Sequence, residues 1–143
     1  MIAEIVKEKL GKRAVKIFKK NAQRCYIDVA PDTIVETARI LFRDLGCRFA
    51  TASGIDTPAG FEILYHFSDD KTGKIFTLRT LITGKADPEI DSITPVICNA
   101  EWIEREIFEL LGVKFRNHPN LKRLLLGPDW PRDKYPLRQG SSL

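Results

Sequence analysis

The residues best suited to chemistry are few and lie far apart along the chain. His66 and His118 are the only histidines, and Cys25, Cys47 and Cys98 are the only cysteines. Three scattered cysteines form neither a disulfide framework nor the closely spaced ligand set of a zinc or iron–sulfur site. The sequence therefore predicts no metal or other cofactor of its own, and a reducing compartment.

One short cluster has acid–base potential, namely Glu104, Arg105 and Glu106. Consecutive residues of a helix point about 100° apart, so these three side chains cannot converge on one substrate atom. We therefore expect a structural or docking role for them. His118 precedes Pro119 without a Ser, Cys or carboxylate partner motif, which predicts a loop histidine held by a backbone hydrogen bond rather than a general base. The sequence thus predicts no catalytic site.

Charge is distributed unevenly in a chain whose net charge is +4. Residues 112–143 alone carry a net charge of +5, and a second basic run covers residues 7–24. This asymmetry predicts an acidic protein surface, a nucleic acid or a membrane face as partner. An RNA-binding module is the weaker alternative, because the aromatic-and-glycine pattern of an RNA-reading sheet is missing.

Length and composition predict one folded domain, because 143 residues with 43% hydrophobic and 29% charged residues can bury a core. No run approaches the ~20 apolar residues of a membrane span, and the first residues lack a signal-peptide pattern. We therefore expect a soluble, intracellular protein. Phosphate-binding glycine motifs are also missing, which argues against nucleotide binding.

Periodicity predicts an α+β fold, with a mainly antiparallel sheet and helices packed on one face. Helical spacing covers residues 2–10, 31–45 and 100–111. Alternating patterns predict five strands: Ala14–Lys19, Arg24–Val29, Cys47–Ser53, Phe61–Ser68 and Lys74–Ile82. The first two strands should be half-buried. The stretch 87–97 is predicted as a connector, with Asn99 as the cap of the last helix.

The last predicted helix carries Glu101, Arg105 and Glu109 at intervals of four residues, a spacing typical of an exposed ladder of ion pairs. Trp102 lies between them in the sequence, and Trp130 follows in the tail. Either tryptophan would suit an interface anchor or ordinary core packing, and for Trp102 the two interpretations weigh equally.

Beyond Gly112, regular structure should thin out, because four of the eight prolines fall in the last 25 residues. The same segment is rich in large apolar side chains, among them Leu121, Leu124, Leu125, Leu126, Trp130, Tyr135 and Leu137. So many apolar groups do not suit a solvated linker. We therefore predict an α+β domain at 1–112, followed by an extended, proline-rich docking segment at 113–143.

Three stretches of the last third form a long motif: Asn99–Phe115 (NAEWIEREIFELLGVKF), His118–Leu125 (HPNLKRLL) and Tyr135–Arg138 (YPLR). This motif resembles the signature of the 30 kDa subunit of NADH-quinone oxidoreductase, which is respiratory complex I. Related subunits occur in formate hydrogenlyase and in membrane-bound energy-converting NiFe hydrogenases. Asn117 stands where the family usually has Gly, and Gln139-Gly140 where Lys-Asp is common.

The resemblance implies a structural subunit, without catalytic site or cofactor, in the peripheral electron-transfer arm of a complex I-like oxidoreductase. The implied partners are the hydrogenase-like large subunit and neighbouring iron–sulfur subunits at the cytoplasmic face of the cell membrane, with no nucleic acid and only indirect membrane contact. The short tail leaves a hydrogenase or formate hydrogenlyase assembly as the alternative. Arg123 and Arg138 would bind carboxylates of the large subunit.

The interface residues that follow from the motif and its tail are fourteen: Trp102, Glu104, Arg105, Glu106, His118, Pro119, Leu121, Lys122, Arg123, Trp130, Tyr135, Pro136, Leu137 and Arg138. By the same analogy, Glu104, Arg105 and Glu106 would join the last helix to the beginning of the tail and to the partner.

Overall fold

The computed structural model describes residues 2–140. Within them the helices and strands are α1 (Ile2–Leu10), β1 (Ala14–Lys19), β2 (Arg24–Val29), α2 (Ile34–Arg39), β3 (Arg48–Thr57), β4 (Gly60–Asp69), β5 (Lys74–Ile82), β6 (Glu89–Asp91), α3 (Glu101–Leu111) and β7 (Lys114–Arg116). The predicted α+β class is confirmed. None of the helices in this part of the chain has both the length and the apolar character needed to cross a bilayer.

Five strands form the main sheet in the order β1-β2-β5-β4-β3. The β1–β2, β3–β4 and β4–β5 pairs are antiparallel, whereas β2 and β5 run parallel. The central pair is parallel because the chain leaves β2 for α2 and the β3–β4 hairpin before it returns as β5. The sheet is thus mainly antiparallel, as predicted, and β6 and β7 form a separate parallel pair.

The core lies on one face of the main sheet. Alternation along β4 puts Phe61, Ile63, Tyr65 and Phe67 on that face, and each is at most 1% exposed. The helices contribute buried side chains to the same core: Val6, Leu10, Ile34, Ala38, Ile107 and Leu111. The prediction that the helices pack on one face is therefore confirmed.

The helix predicted over residues 31–45 has three parts. A 3-10 turn at Pro31–Thr33 leads into α2, and a π-helical turn follows at Ile40–Asp44. The wider turn closes with the Leu45 N–H donating to the Ile40 carbonyl at 3.0 Å.

The predicted burial of β1 is wrong. Val15 is 72% exposed and Ile17 is 37% exposed. Alternation alone does not reveal whether a strand is central or at an edge, and β1 lies at the end of the sheet, where it pairs with β2.

Three further details differ from the sequence prediction. The stretch predicted as a connector contains β6, which pairs with β7 immediately after α3. Asn99 does not cap α3, because it lies inside a 3-10 turn at Cys98–Ala100 that continues directly into the helix. The strand predicted to end at Ser53 also extends to Thr57.

Candidate docking site

Helix α3 is held tightly against β3, and it forms the base of the candidate site. Gly54 of β3 permits the close approach, since a Cβ there would lie 2.5 Å from Leu111 Cδ1. The helix ends at Gly112, which has a left-handed φ of 77°. A side chain at Gly112 would also meet the Arg138 guanidinium and the Tyr135 ring, at 2.6 and 2.8 Å. Gly112 is therefore required both by the turn and by the returning tail.

Glu104 joins α3 to the segment before it. Its Oε1 accepts hydrogen bonds from Ser92 Oγ at 2.8 Å and from the Ile93 N–H at 3.0 Å. The side chain is fully buried, and its Oε2 has no hydrogen-bond partner among the described residues. Burial raises the pKa of this carboxyl group to about 7, although the bonds from Ser92 and Ile93 oppose the rise. Glu104 thus acts within the domain.

Arg105 and Glu109 hold the beginning of the C-terminal segment, which we define as residues 117–140. Arg105 donates to the carbonyls of Lys122 and Arg123, at 3.0 and 2.6 Å. Glu109 accepts from three consecutive backbone N–H groups at 2.8–3.0 Å, those of residues 124–126. Arg105 is 9% exposed and Glu109 is 3% exposed. The predicted exposed ladder is therefore wrong, because the C-terminal segment covers this side of the helix.

Arg123 continues the same type of contact within the segment. Its guanidinium donates to the carbonyls of Trp130 and Pro131 at 2.6 and 2.7 Å, and to that of Gly127 at 3.3 Å. Trp130 Nε1 donates to the Lys134 carbonyl at 2.8 Å. These bonds fold residues 123–134 into a compact loop. The guanidinium that was expected to bind a partner's carboxylate thus binds carbonyl groups of its own chain.

The end of the segment returns to α3. Arg138 donates to the Leu111 carbonyl at 2.6 Å, and the Leu137 N–H donates to the Leu110 carbonyl at 3.0 Å. The Arg138 guanidinium also lies 4.5 Å from the Tyr135 ring centroid, a cation–π contact. Like Arg123, Arg138 is therefore satisfied within the chain.

His118 fixes the turn between β7 and the segment. Its Nε2 lies 2.9 Å from the Glu101 carbonyl, and its Nδ1 accepts from the Asn120 N–H at 3.0 Å. Both contacts fit the neutral ring with its proton on Nε2. The expected backbone hydrogen bond of His118 is thus present. Asn117 has a φ of 65°, so the residue before His118 needs the conformation that Gly adopts freely and that Asn tolerates.

The outward side of α3 carries the exposed apolar residues of the site. Trp102 is 67% exposed, Leu125 is 67% exposed and Leu137 is 55% exposed. Glu106 and Leu110 lie one and two turns after Trp102 and line a groove of about 170 Å³ together with Leu137. We call these five residues the α3 surface. Trp102, Glu106 and Leu110 belong to α3, whereas Leu125 and Leu137 belong to the C-terminal segment and are attached to α3 through their N–H bonds to Glu109 and to the Leu110 carbonyl.

The remaining predicted interface residues lie around this surface. Leu121 packs against the core, Lys122 and Pro119 are exposed, and Trp130 and Pro136 are half-buried. Sequence reasoning assigned Glu109 to a solvent-exposed face and so missed its role. The signal that could have found it is the apolar tail itself, which needed a surface on the last helix to cover.

Within residues 2–140, no group of three or more His, Cys, Asp or Glu side chains could hold a metal ion. The chemistry that the arrangement does support is recognition, through exposed apolar side chains on a backbone whose polar groups are already bonded.

Comparison with models of protein families shows to which family the chain belongs. The family model of the respiratory-chain NADH dehydrogenase 30 kDa subunit matches residues 27–143. The chain belongs to this family. The match includes α3, the C-terminal segment, the whole of β3, β4 and β5, and the second half of β2.

Individual members of the 30 kDa family agree with this assignment. An NADH-quinone oxidoreductase subunit of Ruegeria pomeroyi is 36% identical over 119 residues, which cover 79% of this chain and 58% of that protein. The equivalent subunit of a Chelativorans species is 33% identical over 96% of this chain and 70% of its own length. An F(420)H(2) dehydrogenase subunit of Methanosarcina mazei is 38% identical over 62% of this chain and 56% of that protein. The chain thus spans little more than half of the first of these relatives.

Two solved structures show the same fold. A chain of the membrane-bound sulfane sulfur reductase, an archaeal respiratory membrane complex, superposes with a TM-score of 0.85 at 23% identity, over 99% of this chain and 85% of that chain. The trypsin-resistant fragment of Nqo5 superposes with a TM-score of 0.66 at 20% identity, over 84% of this chain and 98% of the fragment.

Proposed function

We propose that the chain is a non-catalytic, structural subunit of the peripheral electron-transfer arm of a complex I-like NADH-quinone oxidoreductase. It docks onto the hydrogenase-like large subunit beside iron–sulfur subunits, on the cytoplasmic face of the cell membrane, and reaches the membrane only through the complex. NADH and quinone chemistry belong to other subunits. Membership of the 30 kDa family and the relatives named as NADH-quinone oxidoreductase subunits support this role.

The observation that carries the docking role is the α3 surface. Trp102 and Leu125 leave two thirds of their area in water, although Arg105 and Glu109 fix the backbone around them. A large apolar side chain on a rigid support loses little conformational entropy when a partner covers it. Tryptophan is also among the residues that most often dominate binding energy. The α3 surface therefore has the properties of a protein-binding site.

Charges of the C-terminal segment indicate which side chains the rim of the partner's binding site should carry. Lys122, Arg132 and Lys134 are exposed, and none of them forms an ion pair in the described part of the chain. Acidic side chains at the edge of the partner's apolar site would complement them. In this proposal the two predicted parts of the chain have different roles. Residues 1–112 form the folded body, which carries α3, and residues 113–143 form the docking segment.

Recovery of the assembly from native membranes tests the proposal. A tagged full-length chain should bring down a hydrogenase-like large subunit, identified by mass spectrometry. The double variant Trp102→Ala/Leu125→Ser should lower its recovery at least about tenfold, because two interface anchors are lost. Ile5→Ser is the control, since Ile5 is an exposed apolar residue, 44% accessible, on α1. The proposal is contradicted if the wild-type chain is recovered without any large subunit, or if recovery of the double variant is unchanged.

A second candidate function places the same docking role in another assembly, such as a membrane-bound energy-converting NiFe hydrogenase or formate hydrogenlyase. The F(420)H(2) dehydrogenase subunit supports this candidate, because it is 38% identical to the chain and is named for an electron donor other than NADH. The proteins recovered with the tagged chain distinguish the two. A hydrogenase or another donor-specific subunit, in place of an NADH-oxidising one, selects the second candidate.

A further inference from the structure

We propose that the free edge of β1 is a second docking surface, which binds an extended acidic segment of another protein as an added strand. We call β1 and its basic flanks, residues 7–24, the β1 edge. It lies at the opposite end of the main sheet from β3, on which α3 packs. The proposal therefore does not depend on the docking role of α3.

The backbone of β1 offers unused hydrogen-bonding groups. Phe18 pairs with Tyr26, and two residues further on the Lys20 N–H donates to the Arg24 carbonyl at 3.0 Å. Antiparallel strands alternate between residues that bond to the neighbour and residues that face away. The N–H and C=O groups of Ile17 and Lys19 therefore point away from β2. A strand at this edge would find donors and acceptors in place.

The side chains of β1 are unusually apolar for a solvated edge. Val15 is 72% exposed, Phe18 is 54% exposed and Ile17 is 37% exposed. Both edge strands of the sheet contain a bulge, between Ala14 and Lys16 in β1 and between Phe49 and Thr51 in β3. A bulge disturbs pairing with an added strand. In β1 the bulge lies at the beginning of the strand, so Lys16–Lys19 stay in regular register with β2 and offer the template for a partner.

Charge decides the chemistry of the occupant. Residues 7–24 contain eight Lys or Arg residues and one Glu, a net charge of +7. Within residues 2–140, the only basic group of the run that lies within 4 Å of a carboxylate is Arg13, 3.9 Å from Glu36. Two copies of this edge would repel each other, so the charge excludes pairing of the chain with itself. An acidic segment is the complementary partner.

A pocket beside the free edge suits the side chains of such a segment. It has a volume of about 280 Å³ and opens between α1, the β1–β2 turn and β5. Its charged lining residues are four cations, Lys7, Lys19, Arg24 and Lys74, and one carboxylate, Glu4, beside the apolar Ala3, Ile17 and Phe76. A glutamate has an aliphatic stem and a terminal carboxylate, which match an apolar floor with a cationic rim. Every second side chain of an added strand would face the same side as Ile17, and those opposite Ile17 and Lys19 would lie beside this pocket.

An anionic membrane or an RNA would use the positive charges of the β1 edge but not its outward backbone groups. The outward N–H of Lys19 therefore distinguishes binding of a protein strand from binding of a membrane or an RNA. Lys19→Ala removes the charge and keeps the N–H, whereas Lys19→Pro removes both. Since that N–H takes no part in the β1–β2 ladder, proline is compatible with the fold at this edge position.

The experiment uses the full-length protein and a fluorescein-labelled peptide of ten alternating Glu and Val residues, followed by fluorescence anisotropy. We expect Lys19→Ala to bind about threefold more weakly than the wild type, and Lys19→Pro at least about tenfold more weakly than Lys19→Ala. A peptide of the same composition in which all Glu residues precede the Val residues should bind more weakly than the alternating one. Equal binding of the two lysine variants, or of the two peptides, overturns the proposal.

A second measurement decides the question if Lys19→Pro fails to fold. Hydrogen exchange of the wild-type chain should slow at least about tenfold at the Ile17 and Lys19 amides when the alternating peptide is added, and hardly change at Phe18, which already bonds to β2. Unchanged exchange at Ile17 and Lys19 with bound peptide contradicts strand addition. Phosphatidylglycerol vesicles and RNA are tested as competitors of the peptide. If either displaces the peptide and binds Lys19→Ala and Lys19→Pro equally, the β1 edge recognises charge alone, and the proposal is overturned.

Discussion

The sheet body and the C-terminal segment are stabilised in different ways. The body buries large apolar side chains completely, including Tyr65 and Phe67 of β4. In residues 117–140 no side chain is fully buried. Instead, charged side chains bond to the backbone of the segment, notably Arg105, Glu109 and Arg123. Hydrogen bonds with charged side chains thus satisfy the backbone of this segment, whereas backbone–backbone bonds between strands satisfy that of the sheet.

This difference makes the segment separable from the body. A hydrogen bond to a charged group contributes about 1.5–3 kcal/mol, and few such groups hold the segment. Loss of one group should release the segment locally, whereas loss of one core side chain should lower the stability of the whole fold. The following substitutions test that separation.

The largest effect is expected in the sheet body. Phe67 is fully buried, and its ring centroid lies 5.5 Å from that of Phe49. Phe67→Ala should lower the free energy of unfolding by about 3–5 kcal/mol, because it removes apolar contacts and leaves a cavity. Urea denaturation followed by circular dichroism measures this loss. A loss below about 1 kcal/mol would show that the body does not depend on this core.

Glu104 should make the stability of the body depend on pH. The pKa of its carboxyl group is about 7 in the folded protein, against an ordinary value of 4.5, so between these pH values the folded chain keeps a proton that the unfolded chain has released. The stabilisation is complete below pH 4.5 and is lost as pH rises through 7. The difference in unfolding free energy between wild type and Glu104→Gln should therefore fall by roughly 3 kcal/mol from about pH 4 to about pH 8.

Urea titrations of both proteins across this range provide the check, and the difference cancels the other titrating groups. A difference that stays constant, or grows with pH, would mean that the raised pKa does not hold.

Glu109 should control attachment of the C-terminal segment. Glu109→Ala leaves three N–H groups without their acceptor, and the segment should open more easily by about 2 kcal/mol, or roughly thirtyfold. Trypsin cleavage after Lys122 and Arg123 should accelerate by a similar factor. Glu101→Ala is the control on the same helix. Equal cleavage of both variants would show that Glu109 does not hold the segment.

The smallest effect is expected for Arg123→Lys. Lysine keeps the charge but cannot reach three carbonyls with a planar fork, so the loop at residues 123–134 should loosen by about 1 kcal/mol. Cleavage after Arg132 should become roughly fivefold faster, with an unchanged urea midpoint. A shifted midpoint would place Arg123 in the cooperative core and remove the distinction between the two regions.

Local patterns in the sequence predicted most of the sheet body. The bounds of β1, β2 and β5 are those of the prediction, because alternation between turn residues specifies a strand locally. The two three-residue strands β6 and β7 were not predicted. Such short segments carry no recognisable period, and their pairing depends on α3 bringing them together.

The candidate site was harder to predict, because the same alternation of acidic and basic residues at helical spacing suits either a solvent-exposed face of a helix or a face covered by another segment. Arg105 and Glu109 fit an exposed ladder when the helix is considered alone. Their backbone partners lie 15–18 residues away, in a segment without periodic structure. The sequence did predict that the tail's leucines need a surface, and it did not reveal which surface.

Amide hydrogen exchange at Leu124, Leu125 and Leu126 tests most directly whether charged side chains hold the C-terminal segment to the body. In the isolated wild-type chain these three amides should exchange at least about tenfold more slowly than in Glu109→Ala, with equal exchange in the strands of both proteins. Fast exchange in both proteins, or slow exchange in both, would contradict the account.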